Sequence, residues 1–166
     1  MKKLIIILVT IAAFLGCKEE TKYEMELVLS NSTENSITVE LFPNSEYVHN
    51  DMYRFSDTGK GHRPSKFTIR SADNRRELFV SENIHQQPYD LLSNVFDSIH
   101  ITLNDDSQHI IKFSKDAVIG YSENIFTENS IWNYKVINDT RPTQLASNPI
   151  KVHQFTFEIS VDKLIK

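Results

Sequence analysis

Apolar side chains recur at every second position through most of the chain, and this period of two constrains the fold more than any other feature. Met25, Leu27 and Leu29 alternate with charged or polar residues, and the stretch from Ile99 to Leu103 repeats the pattern. Such alternation predicts half-buried β-strands, because successive side chains of a strand point to opposite faces. Strands that bury one face need a second layer to cover it, so the pattern predicts an all-β fold.

The alternation and the polar turns between its runs divide the chain into short strands. The predicted strands lie around residues 23–29, 37–41, 47–55, 67–69, 78–80, 99–103, 111–113, 132–136 and 153–159. Residues 31–35 are a polar turn, so the first two strands are expected to form a hairpin. Pro88–Val95 suits a short helix, because proline in the first turn loses no hydrogen bond.

One predicted hairpin is clear enough for its register to be argued. Pairing Ile99 with Phe113 and Ile101 with Ile111 places the apolar side chains of both strands on one face. A shift by one residue would turn one set to the other face, so burial selects this register. The register requires a loop of three or five residues, and it puts His109 at the rim of the apolar face.

These elements predict an antiparallel β-sandwich, immunoglobulin-like or similar, with about eight short strands and one short helix. A small β-barrel is the alternative fold, because closure of a sheet also removes its exposed edges. The sequence has no run of helices that would cover a parallel sheet.

The N-terminal region predicts an export signal. Two lysines precede an apolar run of 12 residues, Leu4–Leu15, and a glycine and a cysteine follow it. A basic start, an apolar segment and a small residue at the cleavage point form an export signal. The apolar run is shorter than the roughly 20 residues of a membrane-spanning helix. We therefore expect residues 1–16 to be cleaved, residues 17–21 to form a tether and residues 22–166 to form a single domain.

Cys17 is the single cysteine of the chain. Exported proteins normally carry cysteines in pairs for disulfides, so a lone cysteine beside an export signal indicates a modification site. The Phe-Leu-Gly-Cys sequence that ends at Cys17 resembles the lipobox of bacterial lipoproteins. The resemblance implies that the thiol carries diacylglycerol and that acyl chains anchor the protein; no other cofactor is expected. Two or three such chains hold a protein on a membrane, since each buried methylene contributes about 0.8 kcal/mol.

Two further resemblances concern location. Lys18-Glu19-Glu20 resembles the export sequence of surface lipoproteins in Bacteroidota-type bacteria, which implies an outer-membrane protein at the cell surface. The alternative is an ordinary charged tether on a domain that faces the periplasm. The stretches Phe96–Asp106 and Phe155–Ser160, with Tyr121 between them, resemble small uncharacterised lipoproteins of Bacteroidota with one β-sandwich behind a lipid anchor. This resemblance implies fold and location only, and it assigns no catalytic or binding residue.

The charge of the mature chain argues against nucleic acid as a partner. Without Lys2 and Lys3, 16 basic residues stand against 22 acidic ones, which is a formal charge of −6. Nucleic-acid binding requires a basic surface. The partners that we expect instead are the membrane, a glycan or an envelope protein.

Residues 54–76 are locally basic within this acidic chain. An anion-binding face for acidic glycan, lipid headgroup or peptidoglycan carboxylates is predicted here. Its side chains are Arg54, Lys60, His62, Arg63, Lys66 and Arg70, and the run continues through Arg75 and Arg76. Tyr53 or Phe55 would add a ring on which a sugar stacks. The alternative is a solvated loop and an edge strand that carries protective charge.

No motif predicts an enzyme or a metal site. The chain lacks a Gly-x-Ser-x-Gly elbow, a zinc-protease helix and a phosphate loop, and it contains only four glycines. The six histidines fall in no metal-ligand spacing. A hydrolase with paired carboxylates stays open as an alternative, with Asp90, Asp97, Glu123 and Glu128 available.

Ser98 is a predicted modification site. Asp97-Ser98-Ile99 resembles the Asp-Ser/Thr-apolar acceptor of the O-glycosylation system that acts on exported proteins of this bacterial group. The alternative is a strand entrance at which the Asp and Ser side chains hold a turn.

Taken together, these features favour a non-enzymatic, lipid-anchored binding or accessory module. A structural subunit of an envelope or surface complex is the alternative of a different class. An exposed apolar patch of several hundred Å² would favour the subunit, and a cleft lined by aromatic rings beside Arg63 and Lys66 would favour sugar binding.

Overall fold

The structure is a computed structural model, and it describes residues 22–45, 65–71, 74–81, 84–127, 132–139 and 150–165. The predicted signal peptide, the tether with Cys17 and the strand predicted at 47–55 lie outside these residues. The described strands are β1 (Lys22–Asn31), β2 (Ile37–Pro43), β3 (Lys66–Ile69), β4 (Asn74–Ser81), β5 (Phe96–Leu103), β6 (Ile110–Ser114), β7 (Val118–Ile119), β8 (Asn133–Asp139) and β9 (Ile150–Ile159). Helix α1 is Pro88–Val95, as predicted, and a 3-10 turn at Val161–Lys163 follows β9.

Two open sheets pack face to face. Sheet A has the strand order β4-β1-β9-β8, and sheet B has the order β3-β2-β5-β6-β7. Neither sheet closes on itself within the described ranges. The predicted all-β, sandwich-like fold is therefore confirmed, and the alternative of a small β-barrel is wrong.

One strand pair departs from the predicted antiparallel arrangement. β1 and β9 run parallel, in register from Lys22 with Ile150 to Asn31 with Ile159. The other described pairs in both sheets are antiparallel. Periodicity locates a strand but does not give its direction relative to a neighbour that is distant in sequence.

The predicted hairpin of β1 and β2 is wrong, because the two strands lie in different sheets. Their connection crosses from sheet A to sheet B beside the fully buried side chain of Asn31. The Asn31 amide donates to the carbonyl oxygens of Asn35 at 2.8 Å and Arg70 at 3.0 Å. Its oxygen accepts a hydrogen bond from the Thr33 hydroxyl at 2.8 Å. One polar side chain thus joins the β1–β2 crossing to the residue that follows β3.

The predicted hairpin of β5 and β6 is confirmed in register. Ile99 pairs with Phe113 and Ile101 pairs with Ile111. The N–H of Leu103 donates to the carbonyl of residue 109 at 2.9 Å, which leaves the longer of the two predicted loops between them. Local alternation was sufficient here because the two strands are neighbours in sequence as well as in the sheet.

A continuous core lies between the sheets. Its largest buried side chains include aromatic rings from both layers, and Phe113 of sheet B meets Phe157 of sheet A edge to face at 5.8 Å between ring centroids. Helix α1 adds Leu92 and Val95 to this core. The core therefore holds the two sheets in one fixed relation.

The parallel pair defines two ends of sheet A. We call the end with Lys22 and Ile150 the proximal end, since the predicted tether precedes Lys22. The end with Asn31 and Ile159 is the distal end. The ten residues of β1, at about 3.3 Å per residue, place the two ends roughly 30 Å apart.

Candidate binding groove on sheet A

A groove of about 350 Å³ crosses the outer face of sheet A near the distal end. Its lining residues come from all four strands and from the residue after β1: Ser30, Ser32, Arg75, Asn133, Tyr134, Lys135, Thr156 and Glu158. Strand register explains why they meet. Ser30 pairs with Arg75 of β4 and with Glu158 of β9, and Thr156 pairs with Asn133 of β8. Paired residues of neighbouring strands share a face, so a polar row runs across the sheet.

The base of the groove is polar and largely buried. The side chains of Ser30 and Thr156 are 7% and 9% exposed. The carboxylate of Glu158 accepts a hydrogen bond from the Ser32 hydroxyl. Hydroxyl groups both donate and accept hydrogen bonds, so this base suits a ligand that is itself rich in hydroxyls.

Two cationic side chains flank the base. Arg75 and Lys135 are exposed and lie on β4 and β8, the two edge strands of sheet A. Neither forms an ion pair with a described residue, whereas Lys163 pairs with Glu123 at 3.0 Å. Unpaired cations at both sides of a polar base favour an anionic ligand, and a guanidinium in particular binds carboxylates through two parallel hydrogen bonds.

Gln154 places an unsatisfied polar atom beside the groove. It lies on the same face, two residues before Thr156, and its side chain is 8% exposed. Its amide nitrogen donates to the Glu26 carboxylate, while its oxygen Oε1 has no hydrogen-bond partner among the described residues. A buried acceptor without a partner costs about 1–3 kcal/mol, so a donor from a ligand or from water would stabilise it.

The lining residues do not contain the pair of acids that glycoside hydrolysis requires. Glu158 is the single carboxylate among them, and the hydrolases need two acids about 5–9.5 Å apart. Of the acids considered from the sequence, Asp90 lies on α1 and Asp97 on β5. Glu123 is paired with Lys163, and Glu128 lies outside the described residues.

The predicted basic face is described only in part. Arg54, Lys60, His62 and Arg63 lie outside the described ranges. Lys66 begins β3 and Arg70 follows it, so these two side chains leave the strand at opposite ends. Lys66 faces Glu40 at 3.8 Å. The structure brings neither residue to the groove, and Arg75 is the member of the basic run that lies there.

Ser98 lies on the outward face of β5, the central strand of sheet B, and is partly exposed. Its hydroxyl is 3.5 Å from Nε2 of His100. The His100 ring packs on Phe42 with 4.4 Å between centroids. Burial and then the charge of Lys112 lower the pKa of His100, while Glu40 acts in the opposite direction. Glycosylation of Ser98 stays a prediction.

In the part of the chain that the structure describes, no three His, Cys, Asp or Glu side chains lie close enough together to hold a metal ion. His109, predicted at the rim, contacts the Gly120 carbonyl through Nε2 at 2.9 Å. This contact holds the β5–β6 loop against the residue that follows β7.

Within the described residues, no helix is both long enough and apolar enough to cross a membrane.

Sequence reasoning did not identify the groove. Thr156 and Glu158 are the polar half of an alternation with Phe155, Phe157 and Ile159, and this signal shows that they face outward. Nothing local shows that β4, β1, β9 and β8 are neighbours. The polar residues that line the groove come from four separate stretches of sequence, so only the strand order reveals that they share a surface.

Comparisons of the chain with models of protein families, with curated proteins and with solved structures found no match.

Proposed function

We propose that this protein is a non-enzymatic lipoprotein of the outer membrane, exposed at the cell surface, that binds an acidic glycan in the groove on sheet A. Anchoring through Cys17 is supported by the export signal and the lipobox sequence. Binding is supported by one observation above all. Arg75 and Lys135, which form no ion pair with a described residue, flank the buried hydroxyl groups of Ser30 and Thr156. All four residues lie on hydrogen-bonded strands of sheet A, and the sheet holds them in fixed positions.

An acidic glycan matches the groups that line the groove. Its carboxylates pair with the two cations, and its hydroxyls bond with Ser30, Asn133 and Thr156. The volume of about 350 Å³ lies at the lower end of the range of small-ligand sites, which is about 300–1,000 Å³. A short segment of a longer chain therefore fits better than a large ligand.

The binding proposal is tested by titrating the protein with an acidic polysaccharide, polygalacturonate, and with the neutral polysaccharide dextran. Arg75→Ala and Lys135→Ala are each expected to weaken polygalacturonate binding about 10- to 100-fold, the usual effect of losing one hydrogen bond to a charged group. Lys112→Ala is the matched control, because Lys112 is an exposed lysine on sheet B, far from the groove. Equal affinity for both polysaccharides, or no binding of either, would contradict the proposal.

A second pair of variants separates the groove from the predicted basic face. Arg63→Ala and Lys66→Ala remove cations of that face and change none of the described residues that line the groove. If these variants weaken binding while Arg75→Ala does not, the glycan binds at the basic stretch and the groove assignment is wrong.

The anchoring proposal has its own measurements. Radiolabelled palmitate is expected to follow the protein and to be absent from a Cys17→Ser variant. Protease treatment of intact cells then locates the domain, because a domain at the cell surface is degraded and a domain that faces the periplasm is protected. A full-length, unlabelled chain in the soluble fraction would overturn the anchor.

A structural subunit is the second candidate, and one surface favours it. Phe42, Ile110 and Ile119 are exposed on the outward face of sheet B. Ile110 and Ile119 lie on the neighbouring strands β6 and β7, and apolar side chains that adjoin on a surface are a frequent sign of protein contacts. Native electrophoresis of detergent-solubilised membranes tests this candidate, since Ile119→Asp would release the protein from a complex that the unaltered protein forms.

A further inference from the structure

The face of sheet A opposite the groove carries an exposed aromatic surface toward the proximal end. We call it the aromatic patch, and its residues are Tyr23, Tyr134, Val136, Lys151, His153 and Phe155. In register, Tyr134 pairs with Phe155 and Val136 pairs with His153, and Tyr23 lies two residues before Met25 on the same face of β1.

The aromatic patch lies on the face of sheet A that elsewhere forms the core, yet it is not covered. Met25 is fully buried on this face, whereas Tyr23, Tyr134 and Val136 are 42%, 53% and 50% exposed. β8 is an edge strand, and its side chains on this face extend beyond the core. Exposed aromatic and aliphatic side chains that are neighbours on one face indicate a contact with another body.

Contacts within the aromatic patch give it a defined shape. The Tyr134 hydroxyl lies 2.8 Å from Nδ1 of His153, and the Tyr134 ring lies 4.9 Å from the Phe155 ring. The Tyr23 ring lies 6.1 Å from the His153 ring, and the ammonium of Lys151 lies 6.0 Å from the Tyr23 ring. The patch contains one lysine, one histidine and no acid, although the chain as a whole is acidic.

We propose that the aromatic patch rests on the headgroup region of a phospholipid bilayer that contains anionic lipids, so that the domain lies against the membrane that holds its tether. This inference depends on the lipid anchor of the proposed function. Tyr23 is six residues from Cys17, and six extended residues span at most about 22 Å. A lipidated Cys17 therefore keeps the patch close to the bilayer surface.

The residue types of the aromatic patch suit this contact. Tyrosine places an apolar ring and a polar hydroxyl at the boundary between lipid and water, where it is enriched in membrane proteins. The aliphatic stem of lysine packs on apolar groups while its ammonium reaches anionic headgroups. Because the patch contains no acidic side chain, anionic lipid headgroups do not repel it, whereas they would repel the acidic surface of the rest of the domain.

The contact also leaves the groove accessible. The groove lies on the other face of sheet A and near the distal end, whereas the aromatic patch extends toward the proximal end. A domain that rests on the patch turns the groove away from the bilayer. A glycan outside the membrane then reaches Arg75 and Lys135 without displacing lipid.

The experiment uses the alternation of β8 as an internal control. Trp132 is the single tryptophan, so Val136→Trp in a Trp132→Phe background carries one fluorescent probe in the patch. Lys135→Trp in the same background is the matched control, one residue away on the opposite face. Each protein, starting at Cys17, is coupled through its only thiol to maleimide lipids in vesicles of phosphatidylcholine and phosphatidylglycerol with brominated acyl chains.

The probe at position 136 is expected to lose fluorescence to the brominated chains, and the probe at position 135 is expected to keep it. Tyr134→Trp repeats the measurement should one variant not fold, and it should follow position 136. Equal fluorescence of all three probes would overturn the inference. Loss of lipid quenching together with a dimer in sedimentation would also overturn it, since the patch would then join two copies of the chain.

Chemical coupling separates this inference from the anchor. If the natural protein carries no acyl chain, the palmitate experiment fails while the coupled protein still tests the patch. If palmitate is present and position 136 is not quenched, the anchor stands and the patch has another partner.

Discussion

Tyr121 lies fully buried in the core, and its hydroxyl joins parts of the chain that are distant in sequence. The hydroxyl donates to the Glu158 carbonyl at 2.9 Å and accepts from the N–H of Ser160 at 3.1 Å. Burial raises the pKa of Tyr121, which keeps the phenol protonated and able to donate near neutral pH. Because Glu158 lines the groove, this one side chain holds the end of β9 in the position that binding requires.

Replacing this phenol tests its part in stability. Tyr121→Phe removes the shared partner of a partly buried carbonyl and a partly buried N–H, so the free energy of unfolding should fall by about 1–2 kcal/mol. Urea denaturation measures the change as a lower midpoint with an unchanged slope. Tyr134→Phe is the control, since its exposed hydroxyl bonds only with His153 at the surface. Equal effects of the two variants would contradict this account.

His100 makes stability depend on pH in a defined direction. Burial lowers its pKa in the folded protein, so the unfolded chain, with a histidine pKa of about 6.5, binds the proton more readily. The contribution of His100 is therefore retained above about pH 6.5 and lost as the pH falls through the folded pKa. His100→Gln should reduce the difference in urea midpoint between about pH 8 and about pH 5. An unchanged difference would show that other groups account for the dependence.

At the scale of elements, the β5–β6 hairpin combines a predictable register with a loop that requires unusual backbone. Gln108 adopts a left-handed conformation at φ 47°. The Ser107 hydroxyl donates to the Asp105 carboxylate at 2.7 Å, and this bond lowers the pKa of Asp105. Gly120, at φ 75°, lies so close to the hairpin that a Cβ there would be 2.4 Å from the Ile110 carbonyl oxygen.

Two substitutions that should change the free energy of unfolding in opposite directions test this loop. Gln108→Gly should raise the free energy of unfolding by about 0.5–1 kcal/mol, because glycine adopts φ > 0 without the cost of a side chain. Gly120→Ala should lower it by more than about 1 kcal/mol, because both the backbone conformation and the close carbonyl oppose a Cβ. Thermal and urea denaturation report both changes. A destabilised Gln108→Gly protein would show that its side chain contributes more than its backbone conformation costs.

At the scale of the whole molecule, the first and last described strands form the centre of sheet A. β9 lies between β1 and β8. It is therefore hydrogen-bonded to the first described strand of the chain and to the strand that precedes it in sequence. Most of the chain must be synthesised before β1 meets its parallel partner. Pairing of such distant segments delays folding, because loop closure precedes the contacts that repay it.

Removal of β9 should therefore abolish the cooperative fold. A chain that ends at residue 149 leaves β8 without its described neighbour and exposes one edge of β1. We expect it to lose its near-ultraviolet circular dichroism and its sharp urea transition. A chain that ends at Leu164 is the control, and it should keep a cooperative transition close to that of the full chain. Cooperative unfolding of the shorter chain would show that sheet B and β1 fold without the last strand.

Local pattern was enough to locate most described strands, helix α1 and the β5–β6 register, because side-chain alternation and adjacent pairing are properties of neighbouring residues. It was also enough to separate the outward Thr156 and Glu158 from the inward Phe155, Phe157 and Ile159. The export signal and Cys17 are features of sequence alone, and their role stays a prediction.

Strand neighbours and their directions were settled only by packing. β1 and β2 look like a hairpin in sequence, yet the structure places them in different sheets, and the buried amide of Asn31 holds the crossing between them. The groove and the aromatic patch both depend on β8 lying beside β9 and on β9 running parallel to β1. Such long-range pairings are selected because they bury the apolar faces of all the strands together. They cannot be read from any single stretch of the sequence.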